Sequence, residues 1–281
     1  MKSFAPKDLT TPQLHSYLLS AVAPRPIAFA STIDAEGNPN LSPFSFFNVF
    51  SANPPILIFS PARRVRDNTT KHTLENVEMV KEVVINVVNH DIVQQMSLSS
   101  TEYALGINEF TKAGLTMLKS DVVKPFRVAE SPVQMECKVN DIIKLGTEGG
   151  AGNLIICEVV KMHINESVLD ENGAIDQVKL DLVSRAGGSF YSRAKSGFFE
   201  IPKPLSTLGI GVDALPEDIK KSTILSGNDL GLLANVEKFP SENEIKAFNC
   251  GFKTQTEKHQ QAKKLLETEM VTEAWLTLLS E

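Results

Sequence analysis

Cysteine is scarce in this 281-residue chain, and the three present, Cys137, Cys157 and Cys250, are far apart with no CxxC spacing. An odd, scattered set supports neither a disulfide framework nor a zinc site, and it reads as reduced thiols in a cytoplasmic protein. No stretch of about 20 apolar residues occurs, and the opening MKSFAPKDLTTPQLHSYLL lacks the apolar centre of a signal peptide. A soluble protein with no membrane partner is therefore expected. Positive charge is not in excess either: the net charge is −6 and the one basic cluster is Arg63-Arg64-Val65-Arg66, which argues against nucleic acid as a partner. The chain has no nucleophile elbow, no P-loop and no GxGxxG followed by an acidic residue. His15, His72, His90, His163 and His259 share no ligand spacing, so no metal site is expected.

What is present concentrates between residues 24 and 61. Pro26 to Ile33 reads as a buried strand, Asp34-Ala35-Glu36-Gly37-Asn38 as a turn with glycine available for positive φ, and Pro55 to Phe59 as a second apolar strand. Between them, Asn40-Leu41-Ser42-Pro43-Phe44-Ser45-Phe46-Phe47-Asn48 mixes aromatic rings with short hydroxyl and amide groups, and Pro43 keeps the backbone from being an ordinary central strand. Such a mixture suits a flat heteroaromatic ligand with a hydrogen-bonding edge.

The rest of the chain frames that run. Thr11 before Pro12 predicts a helix over Pro12 to Val22. Ser60 to Thr70 is a polar loop, Thr73 to Lys81 a helix with a hydroxyl cap and an acidic first turn, and Val83 to Val88 a short buried strand. Asp91 to Leu118 gives only weak signals of helix and loop. Val133 to Leu145 and Asn153 to Ile164 read as long strands joined by a glycine-rich connection. Several strands joined by turns, with few helices between them, predict a mainly β protein, a small antiparallel barrel with peripheral helices. Beyond residue 199 the pattern changes. Pro202, Pro204 and Pro216 punctuate a polar segment, and Thr256 to Leu279 is predicted as one charged helix. Residues 200–281 are read as a mostly helical extension, and residues 1–199 as the barrel domain.

The chain resembles the flavin reductase-like proteins of the FMN-binding split-barrel superfamily. The resemblance is carried by Arg25-Pro26-Ile27, Ser31-Thr32, the NLSPFSFFN centre, Asn53-Pro54-Pro55 and Lys71-His72-Thr73-Leu74-Glu75-Asn76. It continues through Ala129-Glu130-Ser131-Pro132, Met135-Glu136-Cys137, Gly152-Asn153 and Arg185-Ala186-Gly187-Gly188 with Tyr191, covering roughly residues 20 to 195. It implies an FMN-binding split barrel, hydride transfer from NADH or NADPH to flavin, and a homodimer in which a second subunit completes the flavin pocket. A redox partner protein is one of several acceptors that would fit.

On that reading, Ser42, Pro43, Phe44, Ser45, Phe46, Phe47 and Asn48 would surround the flavin ring, with Ser45 and Asn48 adding side-chain hydrogen bonds. Ser60, Arg63 and Lys71 would meet the phosphate, with Thr73 at a helix N-terminus that favours an anion. Gly188 and Tyr191 would lie near the ring. No catalytic residue is assigned, because the flavin carries the redox chemistry. Taken alone, the phenylalanines could be core, the arginine cluster a solvated loop, Thr73 a helix cap, and Gly188 with Tyr191 a strand-ending turn. A flavin-binding module for storage or electron transfer without nicotinamide turnover, and an oxygenase-like flavoprotein using residues 91–124 as a substrate cavity, are the rival readings.

Overall fold

The computed structural model describes residues 1–104, 106–201, 208–249 and 251–280. Pro202, Pro204 and Cys250, singled out above, lie outside the described residues. The chain divides into two compact units, Met1–Phe198 and Phe199–Glu281.

The first unit opens with α1 (Thr11–Ala21), followed by β1 (Ala28–Ile33), β2 (Pro39–Phe44), β3 (Phe47–Ala52) and β4 (Pro55–Phe59). Next come α2 (His72–Val80), β5 (Glu82–Val87), α3 (Val93–Ser99), α4 (Glu109–Ala113) and the short strands β6 (Met117–Leu118) and β7 (Arg127–Val128). The long strands β8 (Val133–Lys144) and β9 (Asn153–Ile164), then α5 (Gln177–Leu180) and the hairpin of β10 (Val183–Arg185) and β11 (Tyr191–Arg193), complete it.

Seven strands form one antiparallel sheet in the order β2-β1-β5-β8-β9-β4-β3. β2 and β3 are its two opposite edges, yet only Ser45 and Phe46 separate them in sequence. Three Cα steps span at most about 10 Å, so the sheet must curl until its edges meet. The result is a barrel split along that seam, as the resemblance implied. Pro43 therefore sits in a regular strand, opposite Phe29. Because that strand is an edge, the missing N–H costs no ladder bond. The irregular backbone expected across residues 43–47 contracts to the Ser45-Phe46 link.

Alternation along β1 explains why all six of its residues are buried. Ala28 and Ala30 point into the barrel, where Leu57, Phe59, Ile85 and Ile155 fill the interior. Phe29, one position out of phase, joins a second cluster with Leu41, Met96 and Phe110. α3 and α4, which supply Met96, Phe110 and Ala113 to that cluster, thus cover the outside of the sheet. The turn after β1 uses Gly37 at φ +88°. Cys137 and Cys157 are free thiols buried on neighbouring strands of the interior. Among the described residues, no helix is long and apolar enough to cross a membrane.

Two helix starts differ from the sequence reading by one residue. Thr10, not Thr11, caps α1, accepting from the Gln13 N–H, while the Gln13 side chain accepts from the Thr10 N–H at 3.0 Å. α2 begins at His72 with Lys71 as its cap residue, and no side chain makes a capping bond there.

The second unit contains α6 (Glu217–Lys220), α7 (Gly227–Ala234), α8 (Glu242–Ala247), α9 (Gln255–Leu266) and α10 (Val271–Leu279). Its own core gathers Leu233, Ala262, Leu266 and Trp275, and the Trp275 indole donates to the Leu233 carbonyl at 3.0 Å. The single helix predicted over Thr256–Leu279 is a hairpin of α9 and α10. Glu269 takes φ +59° at the break, and the Met270 N–H returns to the Leu265 carbonyl at 2.9 Å.

Asp121, Glu136 and His163 place one potential ligand atom each within 4.8 Å of one another, a grouping that sequence spacing did not reveal. Its donors are already engaged. Asp121 pairs with Lys161 at 2.5 Å and Arg127 at 3.6 Å. The fully buried Glu136 carboxylate accepts from the N–H groups of Asp121 (2.9 Å), Val122 (2.7 Å) and Val123 (3.1 Å) and lies 2.7 Å from His163 Nε2. Burial pushes the Glu136 carboxyl up, but these hydrogen bonds outweigh it and leave it below the ordinary glutamate value. Its contribution is present above that ordinary value and is lost as pH falls through the lowered one. Glu136→Ala is expected to cost about 3–5 kcal/mol near neutral pH, and urea unfolding down to about pH 3 should show the gap to wild type narrowing. A gap independent of pH would mean that the carboxylate is not what holds this loop.

Candidate flavin site

At the seam where the sheet edges meet, Ser42, Pro43, Phe44, Ser45 and Phe46 line a cavity of about 270 Å³ together with His15, Leu19, Ser60, Ala62, Lys71 and Ser100. A second cavity of about 320 Å³ is lined by Arg63, Arg64, Val65, Arg66, Glu102 and Gly150, and shares His15, Ala62 and Lys71 with the first. The two adjoin, one walled by hydroxyls and aromatic rings, the other by cations.

Each wall has a local cause. Phe44 is tucked against Phe59 with ring centroids 5.5 Å apart, whereas Phe46 remains partly exposed and meets the His15 ring edge-on at 6.4 Å. Ser60 follows β4, and its backbone N–H donates to the Phe46 carbonyl at 2.9 Å, extending the β3–β4 pairing by one position to the Ser45-Phe46 link. Its hydroxyl accepts from the Asn153 N–H at 3.0 Å. The close approach requires glycine at 152, where a Cβ would come within 2.8 Å of Ser60 Oγ.

Arg25 fixes α1 against the seam. Its guanidinium donates to the carbonyls of Leu19 and Val22 at 2.6 Å each, groups at the helix C-terminus that have no partner within the helix. It also reaches Ala186 O at 3.3 Å and, at the limit of bonding distance, Ser45 Oγ at 3.5 Å. One buried cation thereby holds α1, the edge-to-edge link and the residue 185–186 strand end in register, which gives the Arg25-Pro26-Ile27 motif its purpose.

The basic cavity is anchored differently. Arg63 donates to Asn68 Oδ1 at 2.6 Å, and Arg64 donates to Thr69 Oγ1 at 2.8 Å and to the Thr70 carbonyl. Glu102 pairs with Arg64 at 2.8 Å, Arg66 at 2.9 Å and Lys71 at 3.4 Å. Hydrogen bonds from Arg64 and Arg66, with Lys71 beside them, hold its carboxyl down to about 2.

Of the residues singled out from sequence, Ser42 through Phe46, Ser60, Arg63 and Lys71 are brought together here. Phe47 packs against the barrel interior, and Asn48 points outward on β3, accepting from the Val49 N–H. Thr73 neither caps α2 nor lines either of these cavities. It is buried, and its hydroxyl accepts from Asn40 Nδ2 at 2.9 Å, within a polar cluster where Asn40 and Asn76 both donate to Thr32 Oγ1. That cluster ties the start of α2 to β1 and β2 and so sets the position of Lys71. Gly188 and Tyr191 lie in the β10–β11 hairpin, outside the lining of both cavities. The Tyr191 ring carries the Arg185 guanidinium at 4.7 Å. The neighbouring Gly187 approaches α1 closely, where a Cβ would stand 2.2 Å from Ser20 Oγ.

His15, Leu19, Ala62, Ser100, Glu102 and Gly150 were not foreseen. His15 sits on a short helix with no pattern to mark it, and Glu102 is more than thirty residues from the arginines it meets.

A split barrel with this paired hydroxyl and cationic lining accords with a flavin-utilising oxidoreductase, the class that the comparisons support. Residues 20–180 match the flavin reductase like domain. A protein of Aquifex aeolicus is 36% identical over 191 residues, 68% of this chain and 95% of that one. The solved structure of nitrilotriacetate monooxygenase component B from Bacillus cereus superposes with a TM-score of 0.67 at 29% identity, covering 72% of this chain and 98% of its own. That of Pseudomonas fluorescens 2-nitrobenzoate 2-nitroreductase gives 0.66 at 25% identity, covering 75% and 100%. The chain belongs to the flavin reductase-like domain family.

Thr73→Val should lower unfolding free energy by about 1–2 kcal/mol, since it takes a partner from buried Asn40, while Thr73→Ser should restore it. Thermal unfolding of both variants checks this; an unchanged Thr73→Val would remove Thr73 from the positioning of α2.

Proposed function

We propose that this protein is an FMN-dependent oxidoreductase of flavin reductase type, taking hydride from NADH or NADPH and passing electrons to a further acceptor. The observation that carries this reading is the junction of the two cavities at Lys71. One compartment offers hydroxyls and aromatic surface suited to a heteroaromatic ring, and the other offers the concentrated positive charge suited to its phosphate.

The donor set fits FMN on its chemistry. Lys71 and Arg63 would face the phosphate, Ser42, Ser45 and Ser60 supply hydroxyls, and Phe44 and Phe46 supply apolar wall. Bound FMN would supply the redox chemistry, accepting hydride and delivering electrons. The protein's own part is to bind, orient and shield: Arg25 holds the seam, the Asn40–Thr32–Thr73 cluster holds Lys71, and the rings limit water at the wall. The similarity to a protein named as component B of a monooxygenase suggests a role as the flavin-supplying half of a two-component system. A cytoplasmic setting accords with the buried free thiols Cys137 and Cys157.

A homodimer belongs to the same reading. α1 buries none of its residues and exposes Tyr17 and Leu18, while the edge strand β3 exposes Val49 and Phe50. An isologous contact that covered these exposed apolar side chains would bury them and complete the cavity walls. Sedimentation should give a dimer that Val49→Glu with Phe50→Glu converts to a monomer with weakened FMN binding; a native monomer that holds FMN tightly would defeat the shared pocket.

The direct test is anaerobic titration of the FMN-loaded protein with NADH and then NADPH. Rapid bleaching of the flavin absorbance by either is the expected result. A protein that binds FMN and stays oxidised with both would instead be a storage or electron-transfer module.

A further inference from the structure

Glu102 places a negative charge in the middle of the basic cavity, where a ligand phosphate would have to go. Both of its oxygens are engaged: Oε1 by Arg64 and Lys71, Oε2 by Arg66. Yet the side chain is 40% exposed and comes from the loop after α3, not from the loop that carries the arginines. It can therefore leave without dismantling what it pairs with. Arg64 stays held by Thr69 and Thr70, Arg63 by Asn68, and Arg66 has Asp67 at 3.1 Å.

We propose that Glu102 is a resident counter-anion of the phosphate cavity, which the phosphate of an incoming flavin mononucleotide displaces, so that this one residue sets how tightly phosphorylated flavin is held. This rests on the flavin reading of the adjoining cavity. The charge balance gives the direction. Four cations, Arg63, Arg64, Arg66 and Lys71, line the cavity against one carboxylate. A phosphate monoester brings about −1.5 to −2 charges and three acceptor oxygens, against one charge and two oxygens for the carboxylate, so it wins the exchange. It does so at the expense of three ion pairs already made, and affinity is lower than an open cationic cavity would give. A flavin without phosphate has no means to displace Glu102 and gains nothing from its removal. The consequence is an exchangeable flavin, bound firmly enough to be reduced and loosely enough to be released.

Ser100, two residues earlier, lines the hydroxyl-walled cavity. The Ser100–Glu102 segment thus reaches both compartments, and movement of Glu102 on phosphate entry would be felt beside the ring.

The test compares wild type, Glu102→Gln and Lys71→Ala for binding of FMN, riboflavin and inorganic phosphate by calorimetry at fixed ionic strength. Glu102→Gln is expected to tighten FMN about tenfold and also to tighten phosphate, with riboflavin unchanged. Lys71→Ala should weaken FMN and leave riboflavin alone. If Glu102→Gln leaves FMN and phosphate unchanged or weakens them, Glu102 serves to support the arginines and the counter-anion proposal falls. If wild type binds neither flavin, the flavin reading falls, and the phosphate comparison still decides the role of Glu102: tighter binding by Glu102→Gln upholds it, and equal or weaker binding overturns it.

Discussion

Two residues join the opposite edges of the seven-stranded sheet, and the rest of the molecule's first unit follows from that short tether. A link of Ser45 and Phe46 cannot span a flat sheet, so the strands must curl, and curling creates an interior that Ala28, Ala30, Phe59 and Ile155 fill. It also brings two unpaired strand edges together at one seam. An edge is where a proline can sit in a strand without breaking a ladder, and Pro43 does. The seam consequently brings irregular backbone, small hydroxyl side chains and partly exposed rings to one wall, and the first cavity forms there.

Charge enters the same seam from one side. The loop between β4 and α2 folds back on itself through Arg63, Arg64 and Asn68, and its end, Lys71, is where both cavities meet. Two buried polar arrangements hold these parts in place without lining the site. Arg25 satisfies the last carbonyls of α1 and touches the tether, while Asn40, Thr32 and Thr73 fasten α2 to the sheet. Buried groups of this kind are costly to leave unpaired, so they restrict the cavity wall to one arrangement more sharply than apolar packing would. The site is polar where ligand chemistry requires it and is held by polar contacts one layer below.

Much of this was legible before any coordinates. Strand-length apolar runs, Gly37 in a turn and the glycine-rich connection between two long strands announced an antiparallel barrel, since local propensity and the final pairing agree at those positions. The sequence order from Ser42 to Phe46, with Ser60, Arg63 and Lys71 following, pointed to the residues that converge. The differences are equally instructive. Thr73 resembled a cap because a hydroxyl at a helix start usually is one, but its neighbour across the fold, Asn40, claims it first. Gly188 and Tyr191 were read toward a ligand, whereas the tight approach belongs to Gly187 and α1. Thr256–Leu279 looked like one helix because its apolar spacing continues through a break that depends on the left-handed turn at Glu269.

The sequence by itself determined the strand content, the seam-forming run and the family to which the chain belongs, because these are written in short-range patterning and in motifs that stay contiguous. Only the tertiary structure decided that His15 shares a cavity with Lys71, that Arg25 fastens a helix to the tether, and that Glu102 stands among three cations. Each of these joins residues on separate elements, brought together by the closure of the sheet and the loops that cross it, and no periodicity along the chain records a meeting of that kind.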